Sequence, residues 1–291
     1  MSSQSLISVG IPVYNSEKTI SRCLESILGQ THLNVEIIIS DNNSTDRTFE
    51  ICKSYAKKDA RVVVYKQESN IGPARNFAFV LEKSSGEFFC WVGSDDVRSS
   101  DFLQLNYTFL ENNLGAVAST SPHEFLNYSS QPIVGKAFSL CGEFNVRVTK
   151  FLSDPWNSHA LFYSLYRRKY LDNYPKLGQN FFGWDWAIIF YVSIFGNMHR
   201  VNQGLISLQS GGQSDRPDAL KMSGVKGMKY LYPLSNFASL VLVATFKTQP
   251  LLLFSELRLL TFLHFQIMKY EYQLMKHKFK MQVKMFAPLD E

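Results

Sequence analysis

Along the first hundred residues, short continuous apolar runs alternate with segments of helical spacing. The runs are Leu6–Val13 (LISVGIPV), Val35–Ser40 (VEIIIS), Arg61–Lys66 (RVVVYK) and Phe88–Val92 (FFCWV). Each reads as a strand, and Phe88–Val92, uninterrupted, introduced by Gly86 and too short to cross a membrane, suits a strand buried on both faces of a parallel sheet. Between the first two, Glu17–Leu28 places Ile20, Leu24, Ile27 and Leu28 on one helical face and stops at Gly29. A second helix is expected from a cap at Thr45 or Asp46 to about Lys57. A third is entered through Asn70-Ile71-Gly72-Pro73 and ends near Gly86. Strand–helix alternation repeated in this way predicts parallel strands joined by right-handed crossovers.

Several of these strands end in a polar cluster: Tyr14-Asn15, Asp41-Asn42-Asn43 and Ser94-Asp95-Asp96. The clusters should share the sheet's carboxyl edge, where open α/β sheets gather their ligands. Two adjacent carboxylates repel unless a cation or water offsets them. Asp95-Asp96 therefore reads either as a site for a hard cation, Mg²⁺ or Mn²⁺, or as an acidic cap on the next helix.

Beyond this motif the alternation weakens. Asp101–Asn113 reads as a helix, Val117–Thr120 and Glu124–Tyr128 as short strands, and Ser129–Gly142 as loop. Ala160–Tyr166 reads as a strand running into the basic cluster Arg167-Arg168-Lys169. Gly183-Trp184-Asp185-Trp186 opens an apolar helix, Ala187–Phe195, that Gly196 ends. Ser210–Arg216 (SGGQSDR) reads as a flexible loop, and the chain from Pro217 onward as mostly helical. The expected division is 1–100 and 101–216 as two halves of an α/β unit, with 217–291 as a helical extension.

Composition narrows the function. The 291 residues carry a formal charge of +5 and no zinc-finger spacing or RNP-type motif, so nucleic acid is not an expected partner. Cys23, Cys52, Cys90 and Cys141 form no CxxC pair, which fits reduced thiols. The N-terminus shows no basic and apolar leader, and no apolar run reaches 18 residues, so a cytoplasmic location is expected. No GxGxxG follows the first strand and no GxxxxGK[ST] occurs, so a glycine-rich phosphate loop is not how a nucleotide would be held.

The segments ISVGIPVYN (Ile7–Asn15), EIIISDNNSTDRT (Glu36–Thr48), NIGPARN (Asn70–Asn76) and GEFFCWVGSDD (Gly86–Asp96) resemble, in order and spacing, family-two glycosyltransferases of the GT-A fold. The resemblance implies an α/β, Rossmann-like, mostly parallel central sheet flanked by helices. It also implies inverting, metal-dependent transfer of a single sugar from a nucleotide-diphosphate donor, UDP- or dTDP-linked, to a saccharide or lipid-linked acceptor. By the same likeness Asp41 pairs with the uracil or thymine ring, and Pro12 and Tyr14 pack around the base. Arg75 lies near the nucleoside and phosphates, Asp95 meets the ribose and Asp96 binds Mn²⁺ or Mg²⁺. Asn15, Asn43 and Ser94 complete the nucleotide-binding edge, Ser94 standing in a motif where many relatives carry three acids. Asp185 is the implied catalytic base; a helix cap is the other reading of an acid in a first turn. Trp184 and Trp186 are candidates to stack on a sugar or to pack in the core. Gln213 and Arg216 belong to a loop like the one relatives fold over the donor diphosphate. A non-catalytic sugar-nucleotide-binding or scaffold protein of the same fold is the competing class.

Leu251–Lys278 reads as one helix with a broad apolar face, followed by Lys276, Lys278, Lys280 and Lys284 alternating with Phe279, Met281, Val283, Met285 and Phe286. That mixture suits an anionic membrane surface. It equally suits a helix packed on the catalytic unit or on the second subunit of a homodimer.

Overall fold

The structure, a computed structural model, describes residues 4–127, 130–174, 177–209, 234–248, 256–265 and 267–269. The expected alternation forms: β1 (Ile7–Val13), α1 (Ile20–Leu28), β2 (Val35–Asp41), α2 (Thr48–Ala56), β3 (Val62–Lys66), α3 (Pro73–Glu82) and β4 (Phe88–Trp91). β5 (Val97–Arg98), α4 (Phe102–Asn112), β6 (Ala116–Thr120), β7 (His123–Asn127) and β8 (Ser130–Val134) follow. The chain continues through α5 (Phe144–Ser153), α6 (His159–Phe162), β9 (Leu165–Arg167), α7 (Trp184–Phe195), β10 (Asn197–Arg200), β11 (Ile206–Gln209) and α8 (Ser235–Thr248). One sheet has the order β10-β6-β9-β4-β1-β2-β3 and a smaller one the order β5-β11-β7-β8. β1 pairs in parallel with β2 and with β4, and β2 with β3, while β9 runs antiparallel between β4 and β6. Residues on both sides of position 100 thus build a single sheet.

Strand alternation explains why β1 and β4 lie at its centre. Ile7, Val9, Ile11, Phe88, Cys90 and Val92 face a core closed by Ile20, Cys23, Leu24 and Ile27 of α1. Phe89 and Trp91 face the opposite core with Val80, Phe162, Tyr166 and Phe190. On that side β1 offers Gly10, where a Cβ would stand 2.7 Å from both Phe89 and Val80. Phe89 therefore packs directly on the β1 backbone. Trp91 stacks on Phe162 at 5.2 Å and donates its indole N–H to Phe77 O at 2.9 Å, so its one polar atom is satisfied while the ring is fully buried.

Three parts of the second half differ from the sequence reading. Ala160–Tyr166 was expected as one strand. Residues 159–162 instead form α6, and only Leu165–Arg167 enters the sheet, because the Tyr166 hydroxyl donates back to Leu161 O and Phe162 O and holds that turn against the strand. The expected loop Ser129–Gly142 contains β8, a hairpin partner of β7. β10 and β11 have no counterpart in the sequence reading; each is only four residues long, and β11 gains its place by pairing with β5 and β7.

α7 is apolar nearly all round and accordingly buried, with Ala187, Ile188, Ile189, Phe190 and Val192 in the core. Its last turn is closed by Arg147, which donates to Ser193 O, Ile194 O and Gly142 O. Among the described residues no helix is long and apolar enough to cross a membrane. The long helix expected over 251–278 is described only in part, as helical residues 256–265 and 267–269.

Candidate active site

The loops leaving β1, β2 and β4 on the carboxyl edge are tied to one another by side chains. Asn15 N–H donates to Ser44 Oγ at 3.0 Å, and Thr45 N–H returns a bond to Asn15 Oδ1 at 2.9 Å. Ser16 N–H donates to Thr48 Oγ1 at 2.7 Å, while Ser16 Oγ and Ser94 Oγ share a hydrogen bond of the same length. Asp46 accepts from Glu17 N–H, Thr48 N–H and the Thr48 hydroxyl. Burial alone would raise the Asp46 carboxyl, but these donors outweigh it and hold it below the ordinary range. Asn15 and Asn43 take the left-handed backbone conformation, with φ of 49° and 61°, which asparagine tolerates better than most residues. Asn42 Oδ1 accepts from Ile71 N–H and Asn42 Nδ2 donates to Asn70 Oδ1, fixing the entry to α3. Asn76 exchanges hydrogen bonds with Ser40, securing α3 against β2. The N-cap position of α2 is Arg47, without a side-chain cap bond, so neither Thr45 nor Asp46 is the cap the sequence suggests. Asp46, one residue earlier, accepts from the Thr48 amide, and α1 begins only at Ile20, after residues 14–17 have joined this network.

Asp41 ends β2 fully buried. Its Oδ2 accepts from Ser44 N–H at 3.0 Å, whereas Oδ1 has no protein partner. An unpaired buried carboxylate oxygen is costly unless a ligand donor meets it. Tyr14 follows Val13, the β1 residue that pairs with Asp41, and is 44% exposed, while Pro12 is buried in the strand.

After β4, Ser94 and Asp95 are half-buried and Asp96 is almost wholly buried. Arg22 of α1 donates to Asp95 O at 2.9 Å. Asp96 Oδ1 accepts from Gln209 N–H at 3.2 Å, and Oδ2 has no hydrogen-bond partner. Burial pushes the Asp96 carboxyl up to about 6, and it raises Asp95 as well. Both carboxylates converge on Gly93: a Cβ there would stand 2.7 Å from Asp96 Oδ2 and 3.2 Å from Asp95 Oδ1. The absent side chain leaves a cradle edged by two hard oxygen donors, one of them unpaired. These residues fit a divalent cation that takes its remaining ligands from water and substrate oxygens. Among the described residues no group of three or more His, Cys, Asp or Glu gathers to hold a metal without such ligands.

Asp185 lies in the first turn of α7, where burial raises its carboxyl above the ordinary range and the nearby His159 opposes that shift. Burial, and after it the charges of Asp96, Asp95 and Asp185, push the Tyr163 hydroxyl well above its ordinary range. Trp184 packs at 5.2 Å from Phe77 and 5.4 Å from Phe162, and Trp186 at 5.1 Å from Trp156. Trp186 is buried in this packing and Trp184 partly exposed; Trp156, 42% exposed, is the most open indole of the three. Arg75 is directed away from the strand ends, in a bidentate pair with Glu82 two turns along α3. Gln213 and Arg216 lie outside the described residues. Ser16, Arg22, Arg98, Trp156, His159 and Tyr163 join the picture from the structure. Of these, His159 bonds Trp156 O through its ring.

A family model described as glycosyl transferase family 2 matches residues 8–175. Over 102 residues the chain is 39% identical to glycosyltransferase GlyG of Streptococcus pneumoniae serotype 4, covering 35% of this chain and 34% of that protein. Over 110 residues it is 38% identical to abequosyltransferase RfbV of Salmonella typhimurium, covering 36% and 33%. The match thus spans about a third of these relatives' lengths. Among solved structures, S. aureus TarS residues 1–349 in complex with UDP-GlcNAc superposes with a TM-score of 0.60 at 20% identity, over 81% of this chain and 66% of that one. This likeness shows a shared fold.

Asp46→Ala removes the acceptor for two backbone amides and is expected to cost about 1 kcal/mol or more, the usual net loss when hydrogen bonds to a charged group are removed. Hydrogen exchange checks it site by site: Glu17 and Thr48 amides should lose protection while those of β1 keep theirs. Unchanged protection at both amides would show that Asp46 does not hold the loops together.

Proposed function

Because the chain belongs to glycosyl transferase family 2, we propose that it transfers one sugar, with inversion, from a UDP- or dTDP-sugar to a hydroxyl group during surface polysaccharide or glycolipid synthesis. The observation that carries this reading is the unpaired Asp41 Oδ1 on the same sheet edge as the Asp95–Asp96 cradle. Uracil and thymine present a ring N–H, the donor that a buried carboxylate oxygen lacks. Tyr14 and Pro12 flank the base, with Asn15, Asn43 and Ser94 shaping the rim between base and diphosphate. The leaving diphosphate accumulates charge as the glycosidic bond breaks; Mn²⁺ or Mg²⁺ held by Asp95 and Asp96 supplies electrostatic stabilisation when bound. Arg75, committed to Glu82, is left out of this scheme.

Asp185 accepts the proton of the attacking hydroxyl. Desolvation favours this role, since a carboxylate raised above its ordinary range is a stronger base. A single base opposite the leaving group gives direct displacement and inversion. Trp156 is the exposed aromatic available to the acceptor. RfbV is named for transfer of a sugar and TarS is solved with UDP-GlcNAc, which support this class of donor and product. Asp185→Asn retains the shape but not the base. Donor binding should persist while turnover of a UDP- or dTDP-sugar falls by about 10²-fold or more. In the parent, turnover should fall on the acid side at a pH above the usual carboxylate range, because Asp185 must be ionised. Near-parental turnover by the variant would return Asp185 to the role of helix cap, and no turnover by the parent across a donor panel would favour the non-catalytic reading.

The C-terminal segment is proposed to meet an anionic membrane, bringing the site to a lipid-linked acceptor at the cytoplasmic face. Helical residues 256–265 bury Leu260 and Leu263 while exposing Leu257, Phe262 and Phe265 together with Arg258, and Lys269 is exposed beyond them. Apolar and basic side chains on one outer face suit the interface of anionic lipid. Sedimentation with anionic liposomes at low salt should carry the full chain down and leave a truncation before Lys276 in the supernatant. Full-length protein remaining in the supernatant, or forming a dimer through this face instead, would overturn the membrane reading.

A further inference from the structure

Two residues after Asp96, Arg98 lies with its side chain fully out of solvent, Nη2 3.9 Å from Asp96 Oδ2. The guanidinium sits between two rings, 5.5 Å from the centroids of Phe102 and Tyr163. Nη1 donates to Val97 O at 3.3 Å, and Nε and Nη2 meet no hydrogen-bond acceptor. The Asp96 oxygen facing it is likewise without a donor, so the two groups interact by charge alone. Neither can turn away: the rings hold the cation, and Gln209 N–H holds Asp96 through Oδ1. The backbone reinforces this, since Arg98 pairs with Ile206 and Val97 with Ser207.

We propose that Arg98 is a built-in counter-cation that keeps the Asp95–Asp96 cradle from retaining a divalent cation until a nucleoside diphosphate arrives. Arg98 offsets one of the two carboxylate charges from the buried side, as Arg22 at Asp95 O does from the exposed side. A divalent cation held by Asp95 and Asp96 would share the Asp96 carboxylate with a guanidinium that no solvent screens, and in a poorly polar setting the repulsion would be large. A diphosphate restores the missing negative charge and adds oxygen ligands. Cation and donor then bind as one unit, and a site without donor stays free of metal. Arg98 acts through Asp96 and touches no reacting atom; it is a positioning residue. The inference rests on the reading of this edge as the donor site.

Mn²⁺ binding followed by electron paramagnetic resonance tests it, with UDP as the nucleotide probe. The parent should bind Mn²⁺ at least about tenfold more tightly with saturating UDP than alone, and Arg98→Lys, which keeps the charge, should behave alike. Arg98→Gln should bind Mn²⁺ alone about tenfold more tightly than the parent does, narrowing the dependence on UDP. Arg98→Met, closer in length and apolar, serves if the glutamine does not fold. A purely structural Arg98 would lower the melting temperature of the variants without moving Mn²⁺ affinity, which overturns the proposal. The parent alone can overturn it too, by binding Mn²⁺ equally well with and without UDP. In that outcome the donor reading survives, whereas failure of UDP to bind with or without Mn²⁺ removes both.

Discussion

The hydrogen bonds among the loops after β1, β2 and β4 are the constraint from which the rest of the site follows. The central strands bury both faces, so polar side chains free to meet a ligand gather where the strands end. Those ends would be independent loops but for Asp46, Asn15 and the Ser16–Ser94 pair, which join β1 to β2 and β1 to β4. Asp41 on one loop and Asp95–Asp96 on another are thereby fixed relative to each other. A ligand with a base at one end and a diphosphate at the other needs such a fixed span.

The carboxylates of the site differ in surroundings more than in chemistry, and surroundings assign their roles. Asp46 collects three donors and stays ionised as a structural anchor. Asp96 is buried beside a cation and an amide, with one oxygen unpaired; Asp95 is more open and faces the same cradle. Asp185 lies in the first turn of a buried helix, where desolvation raises its carboxyl. Environments that push like groups apart are the usual way a site separates electrostatic from proton-transfer duties. Arg98, wholly out of solvent, bears on Asp96 without screening by water, whereas Tyr163 is partly exposed.

The first half was legible because its signals are local. Runs such as VEIIIS are long enough to declare a strand, and the match of NIGPARN reflects contacts now visible: Asn70 and Ile71 bond Asn42, and Asn76 bonds Ser40. The second half depends on contacts distant in sequence. β10 and β11 are short and take their form from partners eighty or more residues away in the chain. Leu161 and Phe162 look like strand residues, yet the Tyr166 hydroxyl stabilises a helical turn there. Residue type also cannot show direction. Arg75 has the charge to meet a phosphate, but the flexible side chain follows its helix to Glu82; Trp184 and Trp186 are spent on neighbouring rings while Trp156 is left open. Arg98 gave no signal, since a lone arginine after an acidic motif reads as a solvated charge until burial is known.

The account's central claim is that one nucleotide spans Asp41 and the Asp95–Asp96 cradle. A crystal structure of the protein grown with UDP and Mn²⁺ tests it most directly. The account predicts the uracil ring N–H within hydrogen-bond distance of Asp41 Oδ1, with the diphosphate and Mn²⁺ at the oxygens of Asp95 and Asp96 above Gly93. Density for UDP elsewhere on the molecule, or a uracil ring at this edge turned away from Asp41, would contradict it.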